Sequence, residues 1–158
     1  MTDDECHWEP APDMWGVRRK SELRTALPAD TSPGEWWLDG VRPAPDPTPF
    51  TTAAWRVAHL ILGTWNWVRL LAQRPQGPEP SLPGDAAGLV ALWKDVLDDF
   101  VEVVVGFSDE HLAEGIPVGT SRRPRSAVVS HVTLEIAFHS AEVGALRHLY
   151  RATGSGRR

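Results

Sequence analysis

The sequence predicts an all-α protein: a bundle of long helices preceded by a loop region rich in tryptophan and proline. Three observations carry this. Apolar residues recur at spacings of three and four over three segments of roughly six turns each. Cap or turn residues bound those segments. The first fifty residues carry proline too densely for a long helix. With 158 residues, the chain is expected to form a single domain with a real core.

The first region, residues 1–50, sets Trp8, Trp15, Trp36 and Trp37 among Pro10, Pro12, Pro28, Pro33, Pro43, Pro45, Pro47 and Pro49. Disordered segments lack aromatics, so this many tryptophans predict an ordered loop region packing its rings on a helical core. Residues 51–153 should form the three long helices. Thr51 or Thr52 caps the first, whose stripe runs through Trp55, His59, Leu62, Asn66 and Arg69 to about residue 73. Arg74-Pro75-Gln76-Gly77-Pro78 ends it. Pro83-Gly84-Asp85 opens the second, which keeps Leu89, Leu92, Trp93, Val96, Phe100, Val103 and Val104 in helical period to about residue 107. Residues 115–124 read as a loop. Ser126 caps the third helix, striped by Val128, Val132, Val143, Leu146 and Tyr150. Short connections imply an antiparallel bundle, and residues 154–158 a flexible tail.

Composition excludes several classes. The formal net charge is −5, and the compact basic clusters, Arg18-Arg19-Lys20, Arg122-Arg123 with Arg125, and Arg157-Arg158, read as solvated charge. No nucleic-acid partner is expected. No apolar run reaches the length of a membrane span, and the acidic start carries no secretory h-region. The cytoplasm is the expected location. Cys6, the sole cysteine, reads as a plain thiol.

Polar residues interrupt the apolar stripes. His59 lies in line with Trp55, Leu62 and Asn66. Glu135 and His139 stand four apart, on the helix face that carries Val128, Val132, Val143 and Leu146. A buried carboxylate needs a partner, a proton or a metal. Two neutral imidazoles and a carboxylate suit Zn²⁺ or another first-row divalent ion and leave a coordination position open. A hydrogen-bonded core cluster without metal is the competing reading. Pattern alone does not decide between them.

Here the sequence resembles the DinB-like superfamily of metal-binding four-helix-bundle proteins. His131-Val-Thr-Leu-Glu135-Ile-Ala-Phe-His139-Ser-Ala-Glu142-Val-Gly-Ala-Leu-Arg147 is similar to the family's last helix. Thr52-Ala-Ala-Trp55-Arg56-Val-Ala-His59-Leu is similar to the helix that carries its first histidine. Trp8-Glu9-Pro10 with Trp15-Gly16-Val17-Arg18 is similar to the tryptophan-rich loop of the actinobacterial branch. The resemblance runs from about residue 3 to 151. Many members place two histidines four apart on the last helix. Glu135 stands at the first of those places, as in the mycothiol-dependent maleylpyruvate isomerases, which use His, Glu and His on zinc.

The resemblance implies His59, Glu135 and His139 as metal ligands, with zinc first and nickel or iron as alternatives. It also implies a low-molecular-weight thiol such as mycothiol, presented to a small electrophilic substrate. In that reading Glu142 orients a ligand or acts as a base, His131 supports the site or replaces a ligand, and Asn66 and Arg147 are cofactor-binding candidates. A non-catalytic bundle with a structural metal site is the alternative. Family members carry a long helix before the Trp-Glu-Pro segment, and Met1 stands where it would be ending. The fold expected is therefore a four-helix bundle lacking most of its first helix, or a chain whose start was assigned late. Such a loss would expose an apolar groove on the order of several hundred Å², and on that ground a homodimer is expected.

Overall fold

The computed structural model describes residues 1–24, 33–75 and 77–154. Pro28, Gln76, Arg157-Arg158 and all but the first residue of the tail expected at 154–158 lie outside the described residues.

The three long helices are present. Helix α2 spans Ala53–Leu71, and Thr52 caps it by accepting the Trp55 N–H. Helix α3 spans Ala86–Val105 and is capped by Asp85. Helix α5 spans Arg125–Ala152. Two short helices join them: α1, Asp3–Cys6, closed by a Thr2/Glu5 capping box, and α4, Asp109–Ala113, capped by Ser108. Two small antiparallel sheets complete the described residues. Strands β1 (Val17–Arg19) and β2 (Trp36–Leu38) pair Val17 with Leu38. Strands β3 (Gly115–Val118) and β4 (Ser121–Pro124) form a hairpin.

Residues 115–124 are therefore a β-hairpin rather than a loop. Gly119, at φ 57°, supplies the left-handed residue of its tight turn, and Ile116, 1% exposed, anchors it to the core. The hairpin also corrects the cap. The second strand runs straight into α5, whose N-cap is Pro124, and Ser126 lies inside the helix. The Arg125 N–H donates to the Glu114 carbonyl, so the chain enters the helix already tethered.

Helix α2 is central, with α3 and α5 both packed along it. One buried cluster joins Ala54, Val57, Ala58 and Ile61 of α2 to Ala86, Leu89 and Val96 of α3. A second joins Val68 and Leu71 to Phe100 of α3 and to Val128 and Val132 of α5. Early residues of α2 thus meet early residues of α3, while its late residues meet early residues of α5. Helix α3 runs parallel to α2, and only α5 is antiparallel. The all-antiparallel arrangement is corrected by residues 72–85. Four prolines, at 75, 78, 80 and 83, bar a helix here, and residues 77–83 run without helix back toward the start of α3. On the way Leu82 bridges Trp36 of β2. A fourth long helix is not among the described residues. Leu134 and Phe138 on α5 and Val90, Val101 and Val105 on α3 are exposed.

The N-terminal region packs as the tryptophan content predicts: Trp15 and Trp37 are buried, and Trp8 meets Tyr150 of α5 edge-on. Its hub is Asp39, with no exposed surface. One carboxylate oxygen accepts the Gly16 N–H at 3.0 Å and Arg18 Nε at 2.8 Å; the other accepts the Arg24 N–H at 2.9 Å. Arg18 continues to Glu9. Removing Asp39 would leave the Gly16 and Arg24 N–H groups without their acceptor while Arg18 keeps Glu9, a loss of about 1–3 kcal/mol. Asp39→Ala is expected to lose stability of that size, read as a fall in the urea midpoint with unchanged slope. A change below about 1 kcal/mol would remove Asp39 from this role.

Candidate metal centre

His59 lies one turn after Trp55 on α2, and Glu135 and His139 lie one turn apart on α5. The antiparallel crossing of the two helices brings the three together. His59 Nε2 is 3.8 Å and His139 Nε2 is 3.3 Å from Glu135 Oε2. All three candidate ligand atoms lie within 4.8 Å of one another. Four ligands at about 2.0–2.1 Å around a tetrahedral ion stand about 3.3 Å apart. The donor types suit a first-row divalent ion; the His139–Glu135 separation matches that spacing, while the others are wider and would have to close around an ion.

The expectation that these side chains point into the core needs correction. His59 is 41% exposed, Glu135 40% and His139 15%. None of the three belongs to either buried cluster; they lie along the α2–α5 contact between its Val68–Val132 end and the Arg56–Glu142 ion pair. There the stripes are interrupted by polar groups, and the groove opens to solvent. Beside His59 and Glu135 it widens into a cleft of about 170 Å³, floored by Gly63 and Thr64 and walled by Trp67 and His131.

Each imidazole is held from behind. His139 Nδ1 bonds Glu142 Oε2 at 2.5 Å, which leaves Nε2 turned toward Glu135. This is the carboxylate–histidine arrangement that fixes the tautomer of metal-ligating histidines. Arg56 Nε approaches the same Glu142 oxygen at 3.1 Å. The His59 ring stacks flat on Trp55, centroids 5.2 Å apart, and meets the His139 ring edge-on at 4.8 Å. Trp55 is itself fixed by its Nε1–H, which donates to the Asp39 carbonyl at 2.7 Å. Burial first, and then the neighbouring His139, hold the His59 imidazole below its ordinary value, while Glu135 pulls the other way. His59 is thus kept in the neutral form that can ligate.

The other candidates lie outside the triad, though His131 walls the cleft beside it. His131 is exposed, one turn before Glu135, with its ring edge-on to Trp67 at 5.4 Å, and is not part of the clustered triad. Asn66 is exposed on α2, about 10 Å along the axis from His59, and does not line the cleft. Arg147 Nε donates to Glu5 of α1 at 3.0 Å, tying the short helix to α5. Cys6 is fully buried and its thiol is pushed up to about 12, mainly by burial, which makes it inert. The residue that sequence reasoning passed over is Arg56. Its signal was present, because a charged residue three before His59 lies on the same side of the helix.

Glu142→Ala is expected to weaken metal affinity by about 10–100-fold, the usual effect of removing such a partner. A chelator-competition titration reads it, and an unchanged affinity would separate Glu142 from the site.

Among the described residues no helix is long and apolar enough to cross a membrane. Compared with the curated proteins and with the solved structures, the chain finds no significant match. A protein-family model described as the DinB superfamily matches residues 1–143. That match takes in α2 and the part of α5 that carries Glu135 and His139, and the chain belongs to the DinB superfamily.

Proposed function

We propose that this protein binds one divalent metal ion through His59, Glu135 and His139, and that the ion serves a small-molecule reaction rather than the fold. The observation that carries this is the placement of the triad: three donors from two helices converge in a groove open to solvent, outside both buried clusters. Two histidines and a glutamate form a donor set of catalytic zinc sites, which keep a further position free. Zinc is the first choice, with nickel or iron next.

Bound there, a divalent ion supplies Lewis acidity that lowers the pKa of a coordinated water or thiol. The chain's own residues do the rest. Glu142 holds the His139 tautomer and orientation, Trp55 holds the plane of His59, and the cleft beside Gly63 admits a small molecule. For the chemistry we favour a transfer or isomerisation assisted by a low-molecular-weight thiol of the mycothiol type. The support is the His-Glu-His pattern shared with the maleylpyruvate isomerases of the same superfamily. The alternative, a non-catalytic bundle whose metal only fixes the α2–α5 contact, draws on the ring packing of Trp55, His59 and His139.

Elemental analysis of protein purified without added metal is expected to show a stoichiometric transition metal; its absence would sink the site. His59→Ala separates the two readings. Loss of metal with a melting temperature within a few degrees of the metal-free parent supports the open site, and collapse of the fold supports the structural one.

A further inference from the structure

A second cavity lies on the far side of His139 from the cleft. It holds about 150 Å³ and sits between the residues leading into α2 and the C-terminal half of α5. Leu146, Leu149, Ala145 and Phe50 give it apolar walls, with Phe50 and Leu149 forming an exposed lip. A cavity of this size lined by apolar side chains accommodates a benzene ring.

Two polar features of its lining lack adequate partners within the protein. The first is Arg56. Its side chain is 19% exposed, and its Nε shares Glu142 with His139. Its Nη1 stands 3.5 Å from His139 Nδ1. That nitrogen donates its proton to Glu142 and so cannot also accept one from Arg56. A guanidinium partly removed from water thus has the Trp55 ring face at 5.3 Å and a carboxylate it shares with His139, and its Nη1 faces a nitrogen that offers no acceptor. The second is Thr51, 2% exposed, whose Oγ1 makes no hydrogen bond. A buried hydroxyl in that state costs about 1–3 kcal/mol. Both features lie by the N-terminal end of α2, where the helix dipole also favours negative charge.

We propose that this cavity is a binding site for a small monocarboxylate, its carboxylate paired with Arg56 and its apolar part of about six carbons seated among Phe50, Leu146 and Leu149. Glu142 also lines the cavity, but its Oε2 already accepts from both His139 and Arg56, so the excess is of donors. The site exists with or without an ion at the triad. It borders the candidate metal centre through Arg56 and Glu142 and places a bound acid beside it.

The test is titration of the full chain with benzoate and hexanoate, followed by NMR shifts, in chelator-stripped and zinc-treated protein. Benzylamine and benzyl alcohol serve as charge-reversed and neutral probes. Both acids are expected to bind in both preparations, more tightly than the alcohol or the amine. Arg56→Gln should weaken benzoate by about tenfold or more, the loss of a charge-assisted hydrogen bond. Ala145→Phe fills the cavity from an exposed helix position and should abolish binding, with Ala145→Leu as the smaller filler should the phenylalanine unfold the chain. Tighter binding of the amine would overturn the proposal. So would the absence of binding by either acid, or binding that needs zinc and survives the Ala145 variants. Failure of the metal assignment reads out separately, in zinc content, and leaves benzoate binding unaltered.

Discussion

Asp39 has no exposed surface, and a carboxylate so placed must be matched by donors or it would unfold its surroundings. The match here draws in Gly16, Arg18 and Arg24 through its side chain. The carbonyl of the same residue takes the indole N–H of Trp55. One residue thus ties the N-terminal region to the first turn of α2 and sets the ring on which His59 stacks. Trp15 strengthens the junction. Its backbone bonds Phe50 and Thr52, on either side of Thr51 just before the helix, and its ring lies against Trp55. The position of the first candidate ligand is therefore fixed from outside its own helix.

The other two candidate ligands depend on a different constraint, the antiparallel packing of α5 on α2. The buried cluster of Val68, Leu71, Val128 and Val132 at one end of that contact supplies most of the stability, and Val143 packs against the other cluster further along. Each fully buried Leu, Ile, Val or Phe contributes about 1.5–3 kcal/mol, several times what a half-exposed His–Glu contact gives. The middle of the contact is left to chemistry. His59 and Glu135 keep about two fifths of their surface, enough to admit a ligand, while His139 is held deeper by Glu142 and Arg56. Arg56 then connects the two sides of His139: it steadies Glu142 behind the imidazole and presents its remaining donors to the apolar cavity beyond.

The helices were legible because their caps and periods are local. Thr52 and Asp85 bond the first turns of α2 and α3 as their residue types require. Ser126 misled for the same reason. A good cap residue is only a candidate, and the hairpin before α5 set the entry at Pro124 instead. The hairpin itself was hidden, because Gly115-Ile-Pro-Val and Ser-Arg-Arg-Pro lack the β-branched alternation of a strand. What pairs them is the turn at Gly119 and the anchoring of Ile116. Helix direction was not legible either. The prolines of residues 75–83 were read as a break, whereas their consequence is a non-helical return that sets α3 parallel to α2.

The sequence by itself determined three long helices, an ordered tryptophan-rich region, family membership, and the choice of His59, Glu135 and His139. The helices and the ordered region rest on residue type and on spacing within one segment, which hold whatever the tertiary arrangement; the choice of the three polar residues rested on the family resemblance as well, since their pattern alone left a metal-free core cluster open. Only the tertiary structure decided that the triad faces an open groove and not the core, that Arg147 serves Glu5 while Arg56 stands beside His139, and that Asp39, in the N-terminal region before α2, supports Trp55. Those outcomes depend on which surfaces the crossover, the hairpin and the N-terminal region cover. A helical stripe states that a face is apolar; what lies against that face, and how much of it stays open, is set by packing between segments far apart in sequence.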